Sequence, residues 1–109
     1  MAYDEGLAEL MRNDLIDQPG ITERKMFGGL AFLLKGNMVC GVHSGGGMFR
    51  VGKEREAEAL TIDGAGPMTF TGRKMGGMID VDDDALADDT RRAVWMRLAL
   101  ANAASLPAK

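Results

Sequence analysis

Two side chains in this sequence carry the chemistry of a nucleophile or a general base, Cys40 and His43, and both fall in the run Met38-Val39-Cys40-Gly41-Val42-His43. A cysteine nucleophile needs a thiol whose pKa is lowered by a neighbouring cation or helix terminus. A catalytic histidine needs a third group that orients its ring. The sequence supplies neither locally. Cys40 alternates with Val42 in strand phase, which reads as a small apolar side chain on one sheet face. His43 is the only histidine, beside Ser44 and three glycines, and reads as a hydrogen-bonded strand end. No catalytic residue is assigned.

Ligand motifs fare no better. Asp82-Asp83-Asp84 is the nearest approach to a metal motif, but a calcium loop spreads its oxygen ligands over a defined length and closes with a distant glutamate, whereas consecutive aspartates suit a helix N-terminus. Ser44-Gly45-Gly46-Gly47 lacks the lysine and hydroxyl residue of a phosphate-binding loop and the strand-to-helix setting that gives such a loop its mechanism. It reads as a hairpin connection. With one cysteine, no thiolate cluster is available to zinc or iron-sulfur. Neither a metal nor a cofactor is expected.

These residues must be held by a chain of 109 residues, 46% hydrophobic and 27% charged, which suits one globular domain over residues 1–109. Its net charge is -3, a balance that makes direct nucleic-acid binding weak at best, because such affinity comes from neutralising phosphates with a concentrated basic surface. The acidic start, with no basic region followed by an apolar run, and the lack of any long apolar stretch point to a cytoplasmic protein with no membrane association.

The organising stretch is Arg24 to Val51. Apolar runs at Met26–Leu34, Met38–Val42 and Met48–Val51, separated by Lys35-Gly36-Asn37 and by the glycine run, predict a three-stranded antiparallel meander. Within its first strand, Gly28 and Gly29 suggest a bulge or a close approach of another element. Asp4 to Leu15 predicts an amphipathic helix with Leu7, Leu10 or Met11, and Leu15 inward, stopped by Pro19-Gly20. Lys53 to Leu60 predicts a short helix with Ala57 and Leu60 inward. Strands are expected at Met68–Phe70 and Met75–Val81. A long final helix from Asp84 to Ser105 should bury Leu86, Ala93, Val94, Leu98 and Ala101, with Trp95 at a margin and Arg91, Arg92 and Arg97 in solvent.

The segments Arg24-Lys25-Met26-Phe27-Gly28-Gly29-Leu30-Ala31-Phe32, Gly36-Asn37-Met38 and Gly41-Val42 together resemble the N-terminal domain of the TfoX/Sxy family. The resemblance continues through Arg50-Val51-Gly52, Phe70-Thr71-Gly72-Arg73 and Met75 to Ser105-Leu106-Pro107, and so covers nearly the whole chain. Met78 departs from it, since many relatives carry a tryptophan there. The resemblance implies an α+β, two-layer domain ordered α-β-β-β-α-β-β-α, its mainly antiparallel sheet covered by helices. It further implies a regulator of natural competence, a kind of protein thought to assist transcription with the cyclic-AMP receptor protein. The chain corresponds to the first domain of such regulators, without their C-terminal helical domain.

The expected function is therefore that of a small non-enzymatic regulatory or adaptor domain, whose partner is a protein of the transcription apparatus. The candidate interaction surface comprises Arg24, Lys25, Met26, Phe27, Arg73, Lys74, Met75 and Met78. Arg24-Lys25-Met26 is echoed at Arg73-Lys74-Met75, suggesting two basic sites close in space. Two alternatives are a weak nucleic-acid-associated regulator using those four cations and a small-molecule-binding module or enzyme built on His43 or Cys40. A homodimer is compatible with all three.

Overall fold

The computed structural model describes residues 3–26, 28–70 and 73–107. Its elements are α1 (Glu5–Asp14), β1 (Ile21–Met26), β2 (Gly29–Leu34), β3 (Asn37–His43), β4 (Gly46–Arg50), α2 (Lys53–Leu60), β5 (Ala65–Phe70), β6 (Arg73–Val81), α3 (Asp83–Ala87) and α4 (Asp89–Ala104). The strands form one sheet in the order β1-β2-β3-β4-β6-β5, every neighbouring pair antiparallel. The α+β class holds, with helices packed on the sheet.

The first apolar run is not one strand with a bulge. It is the second arm of a hairpin, with Met26 opposite Gly29, and the added strand β1 is the polar segment Ile21–Met26 before it. Gly28 sits at φ 75°, a left-handed conformation that glycine alone adopts without strain. A Cβ on Gly29 would lie 2.0 Å from the Val42 carbonyl oxygen, so the second glycine answers to the close approach of β3. The glycine pair is used once for backbone angle and once for space.

Register divides the sheet into two faces. Leu30, Phe32, Cys40, Val42, Phe49, Ile79 and Val81 share one face through the pairs Phe32↔Cys40, Cys40↔Phe49 and Phe49↔Ile79. All of them belong to the main buried core. That face packs against α4, where Cys40 Sγ lies 3.9 Å from Met96 Sδ and the Phe49 and Trp95 ring centroids are 5.9 Å apart. The opposite face carries Arg24, Ala31, Gly41, Met48 and Asp80, which are level across the strands.

The final helix differs from its predicted form in two ways. It breaks at Asp88, whose extended backbone ends α3 and whose carboxylate accepts from Arg91 N at 3.0 Å to cap α4; Asp82 caps α3 in the same manner through Ala85 N at 2.8 Å. A repeated aspartate thus starts two helices in succession. The buried stripe of α4 is also rotated: Arg92, Trp95, Met96, Ala99 and Ala103 are buried, while Ala93 and Ala101 are exposed. Trp95 is 0% exposed and lies at the centre of the core rather than at its margin. Arg92, expected in solvent, is buried because its guanidinium meets Asp14 at 2.6 Å, Asp89 at 2.7 Å and the Leu86 carbonyl at 3.0 Å.

In α2 the inward positions are Glu56 and Ala59, with Ala57 exposed. The phase is set from outside the helix. Glu56 Oε1 accepts from Gly77 N at 2.9 Å, and the Ala59 carbonyl accepts from Trp95 Nε1 at 3.1 Å.

α1 keeps its predicted face, with Leu7, Met11 and Leu15 buried and Asp4 capping it through Gly6 N and Leu7 N. It is tied to β1 by Arg12, which donates to both oxygens of Glu23 at 2.7 and 2.9 Å and also pairs with Glu9. The hydrogen bond from Arg12 holds the Glu23 carboxyl below its usual range. A carboxylate with a lowered folded pKa stabilises above its unfolded value of about 4.3 and loses that contribution as pH falls through the folded value. Wild type is therefore expected to melt slightly higher than Glu23→Gln near neutrality, and the gap to close in acid. Thermal melts of both proteins against pH would read this, and a gap that widened in acid would contradict it. The effect is small, because the pair is more than a third exposed and solvent screens it.

Candidate functional site

His43 has a partner that sequence reading missed. At the end of β3 its Nε2 lies 2.7 Å from Asp80 Oδ1 on β6, and its Nδ1 accepts from Gly45 N at 3.0 Å. An acceptor at Nδ1 places the ring proton on Nε2, which donates it to the carboxylate. Strand β4 runs between the two residues, and the β4 residue opposite His43 is Gly46. With no side chain there, the imidazole spans the strand. The two partners are 37 residues apart in the chain, and the sheet order places β6 beside β4, a pairing that no local pattern announces.

Both ring nitrogens are thus engaged, one by the β3–β4 turn and one by β6, and the pair works as a clamp between strands. His43→Ala is expected to destabilise the domain by about 1–2 kcal/mol, the usual cost of losing a partly buried hydrogen-bonded pair. It should also speed amide exchange at Gly45, whose N–H loses its acceptor. Unaltered exchange at that amide would show that the clamp does not order the turn.

Cys40 is 0% exposed, and burial pushes its thiol pKa well up, away from the thiolate a nucleophile requires. Among the described residues, surface hollows are lined by other side chains. One, of about 260 Å³, includes Gln18, Lys35 and Leu106, and one of about 190 Å³ includes Arg12, Ile16 and Glu23. Among the described residues no group of three or more His, Cys, Asp or Glu side chains is placed to hold a metal ion, and no helix is long and apolar enough to cross a membrane.

The described residues of the predicted interaction surface fall on strands at different places in the sheet. Arg24 and Lys25 are exposed on β1, which ends the sheet on one side. Arg73 and Lys74 open β6, four strand positions away. Arg24 is level with Asp80 across the sheet, seven residues beyond Arg73 on β6. The backbones of the two basic pairs are therefore about 19 Å apart across the strands and about 23 Å along them. Met78 is 8% exposed and pairs with Arg50 on the face that carries Met48, itself 3% exposed. The strongly exposed large hydrophobic side chain among the described residues is Ile16. Phe27 lies outside the described residues, and Met26, Arg73, Lys74 and Met75 are placed by their strands alone.

Comparison with known families decides what this arrangement is. The family model for the TfoX N-terminal domain matches residues 14–103, from the end of α1 to the last turn of α4. The chain belongs to the TfoX N-terminal domain family. No curated protein and no solved structure gives a significant match. Within this TfoX N-terminal domain the matched span takes in the whole sheet, the Arg92 ion pairs and the His43–Asp80 clamp, while Tyr3 to Asn13, most of α1, lies before it.

Proposed function

We propose that this TfoX N-terminal domain is a non-enzymatic regulatory or adaptor module of the cytoplasm that acts through contacts with a protein of the transcription apparatus. The observation that carries the reading is the family match across residues 14–103. Two features of the fold support it. The thiol of Cys40 is spent in core packing against Met96, and the imidazole of His43 is spent in tying β3 to β6, so the side chains with nucleophile or base chemistry both serve the scaffold. The two predicted basic pairs lie on strands that are not neighbours in the sheet, whereas a phosphate backbone selects a concentrated cationic surface.

The test is affinity capture of the intact protein from its own cells after light crosslinking, against a control altered at exposed surface positions, with the enriched proteins identified. Reproducible recovery of a transcription regulator or a polymerase subunit supports the adaptor role. Recovery of nothing specific, together with turnover or tight binding of a small molecule that is lost in His43→Ala, would replace it with the reading of a ligand-binding module or enzyme.

A further inference from the structure

β1 ends the sheet on its side, and its outer edge has a definite hydrogen-bonding pattern. The Gly20 carbonyl accepts from Lys35 N at 3.1 Å, which sets the alternation along the strand. Thr22, Arg24 and Met26 turn their backbone groups toward β2, and Ile21, Glu23 and Lys25 turn theirs outward. Three N–H and three C=O groups therefore stand along about 14 Å of edge, a template for one more strand.

The side chains on this edge are not neutral guards. Thr22, Glu23, Arg24 and Lys25 are all exposed. The one anion, Glu23, is already held by Arg12. The two cations make no ion pair among the described residues. Arg24 pairs with Ala31 on one face and Lys25 with Leu30 on the other, so a positive charge stands on each side of whatever strand is added. A chain of net charge -3 thus concentrates uncompensated positive charge on its free edge.

The geometry points to an acidic, extended polypeptide segment as the occupant of this edge, added as a seventh strand with carboxylates facing Arg24 and Lys25. This deepens the adaptor reading above and rests on it. Strand addition supplies affinity through the outward N–H and C=O groups, and the two cations supply selectivity. A second copy of the chain fits less well. Two-fold antiparallel pairing keeps each face on its own side and sets one residue opposite itself, and the two registers that use most of β1 centre on Glu23 or on Arg24. The first opposes two carboxylates; the second opposes two guanidinium groups and sets Lys25 against Glu23, a carboxylate already held by Arg12. A phosphate backbone accepts hydrogen bonds but donates none, and would leave the outward carbonyls of Ile21, Glu23 and Lys25 unmatched.

The probe is a fluorescent peptide of about eight residues, strand length, alternating glutamate and threonine, with a glutamine-for-glutamate control, followed by anisotropy at low salt. Binding should be at least about tenfold tighter for the glutamate peptide and should fall by a similar factor in Arg24→Glu/Lys25→Glu, since rim charges lose force with screening and reverse with sign. The comparison of Lys25→Ala with Lys25→Pro isolates strand addition. Both lack the ammonium, proline alone lacks the outward N–H, and no β1–β2 bond is lost. Lys25→Pro should bind about tenfold more weakly than Lys25→Ala, in keeping with one hydrogen bond, with melts confirming that both variants fold.

Equal binding by those two variants overturns strand addition. So does indifference to glutamine, equal binding of a labelled oligonucleotide, or a dimer in sedimentation that disappears in Arg24→Glu/Lys25→Glu. Capture from cells separates the two levels of inference. If Arg24→Glu/Lys25→Glu retains the same transcription protein as wild type, the edge assignment fails and the adaptor role stands. If wild type binds the peptide but captures no such protein, the adaptor role fails instead.

Discussion

Replacing Trp95 by alanine should lower the melting temperature by roughly 15–30 °C, the largest effect of any single substitution considered in this protein. The side chain is the largest of those fully buried. Its ring packs against Phe49 at the centre of the sheet, and its indole N–H holds the Ala59 carbonyl at the end of α2. One residue therefore joins α4, β4 and α2. Truncating such a side chain costs about 3–5 kcal/mol, part for lost burial and part for the cavity left behind. Domains of this size have about 5–15 kcal/mol in all, and each kcal/mol is worth about 4–8 °C. Trp95→Phe keeps an aromatic ring beside Phe49 but loses the bond to Ala59 and part of the indole's buried volume, and should cost clearly less than Trp95→Ala. Calorimetric melts of both variants would check this. A Trp95→Ala protein melting within a few degrees of wild type would remove Trp95 from the centre of the core.

The second large effect is expected at Arg92. Its side chain is 5% exposed and contacts Asp14, which is 27% exposed, and Asp89, which is 83% exposed. Removing one partner of a buried pair leaves the other charge without compensation, typically at 3–5 kcal/mol. Since the carboxylates keep some water here, Arg92→Met should cost about 2–4 kcal/mol. Asp89→Ala, at the exposed end, should cost under about 0.5 kcal/mol. Asp14→Leu should fall between them, because Arg92 retains Asp89 and the Leu86 carbonyl. The double variant Arg92→Met/Asp14→Leu should lose clearly less than the sum of its parts, as expected for groups in one network. Denaturant titrations of wild type, Arg92→Met, Asp14→Leu and the double variant form the cycle, and strict additivity would mean that Arg92 stabilises by packing alone.

Arg92 also shows where reading the sequence fell short. A helix stripe is inferred from apolar periodicity, and an arginine is placed in solvent unless a buried partner is known. Asp14 lies 78 positions away, on a helix whose packing the sequence does not specify. Placing Arg92 outside rotated the whole stripe, which brought Ala93 and Ala101 inward and Trp95 to the margin. Ala57 was misplaced in α2 for a related reason, since the phase there follows Gly77 and Trp95 rather than the helix's own apolar residues. What could be read were features with local causes: the span of α2, the stop at Pro19-Gly20, the inward face of α1 and the aspartate cap at Asp82. The family signature that includes Gly28-Gly29 is also legible, although the turn at Gly28 is hidden inside an apolar run. The His43–Asp80 clamp depends on β6 pairing beside β4, which only the folded topology supplies.

Cys40 offers a use unrelated to any biological role. It is the single thiol of the chain and sits on a central strand under α4, wholly excluded from water. A disulfide reagent can reach it only when α4 lifts from the sheet or the whole domain opens. Its labelling rate in the native protein is therefore a clock for those openings. A rate that tracks global unfolding would mean that sheet and helix part together, whereas a faster rate would reveal α4 as a separately detaching layer.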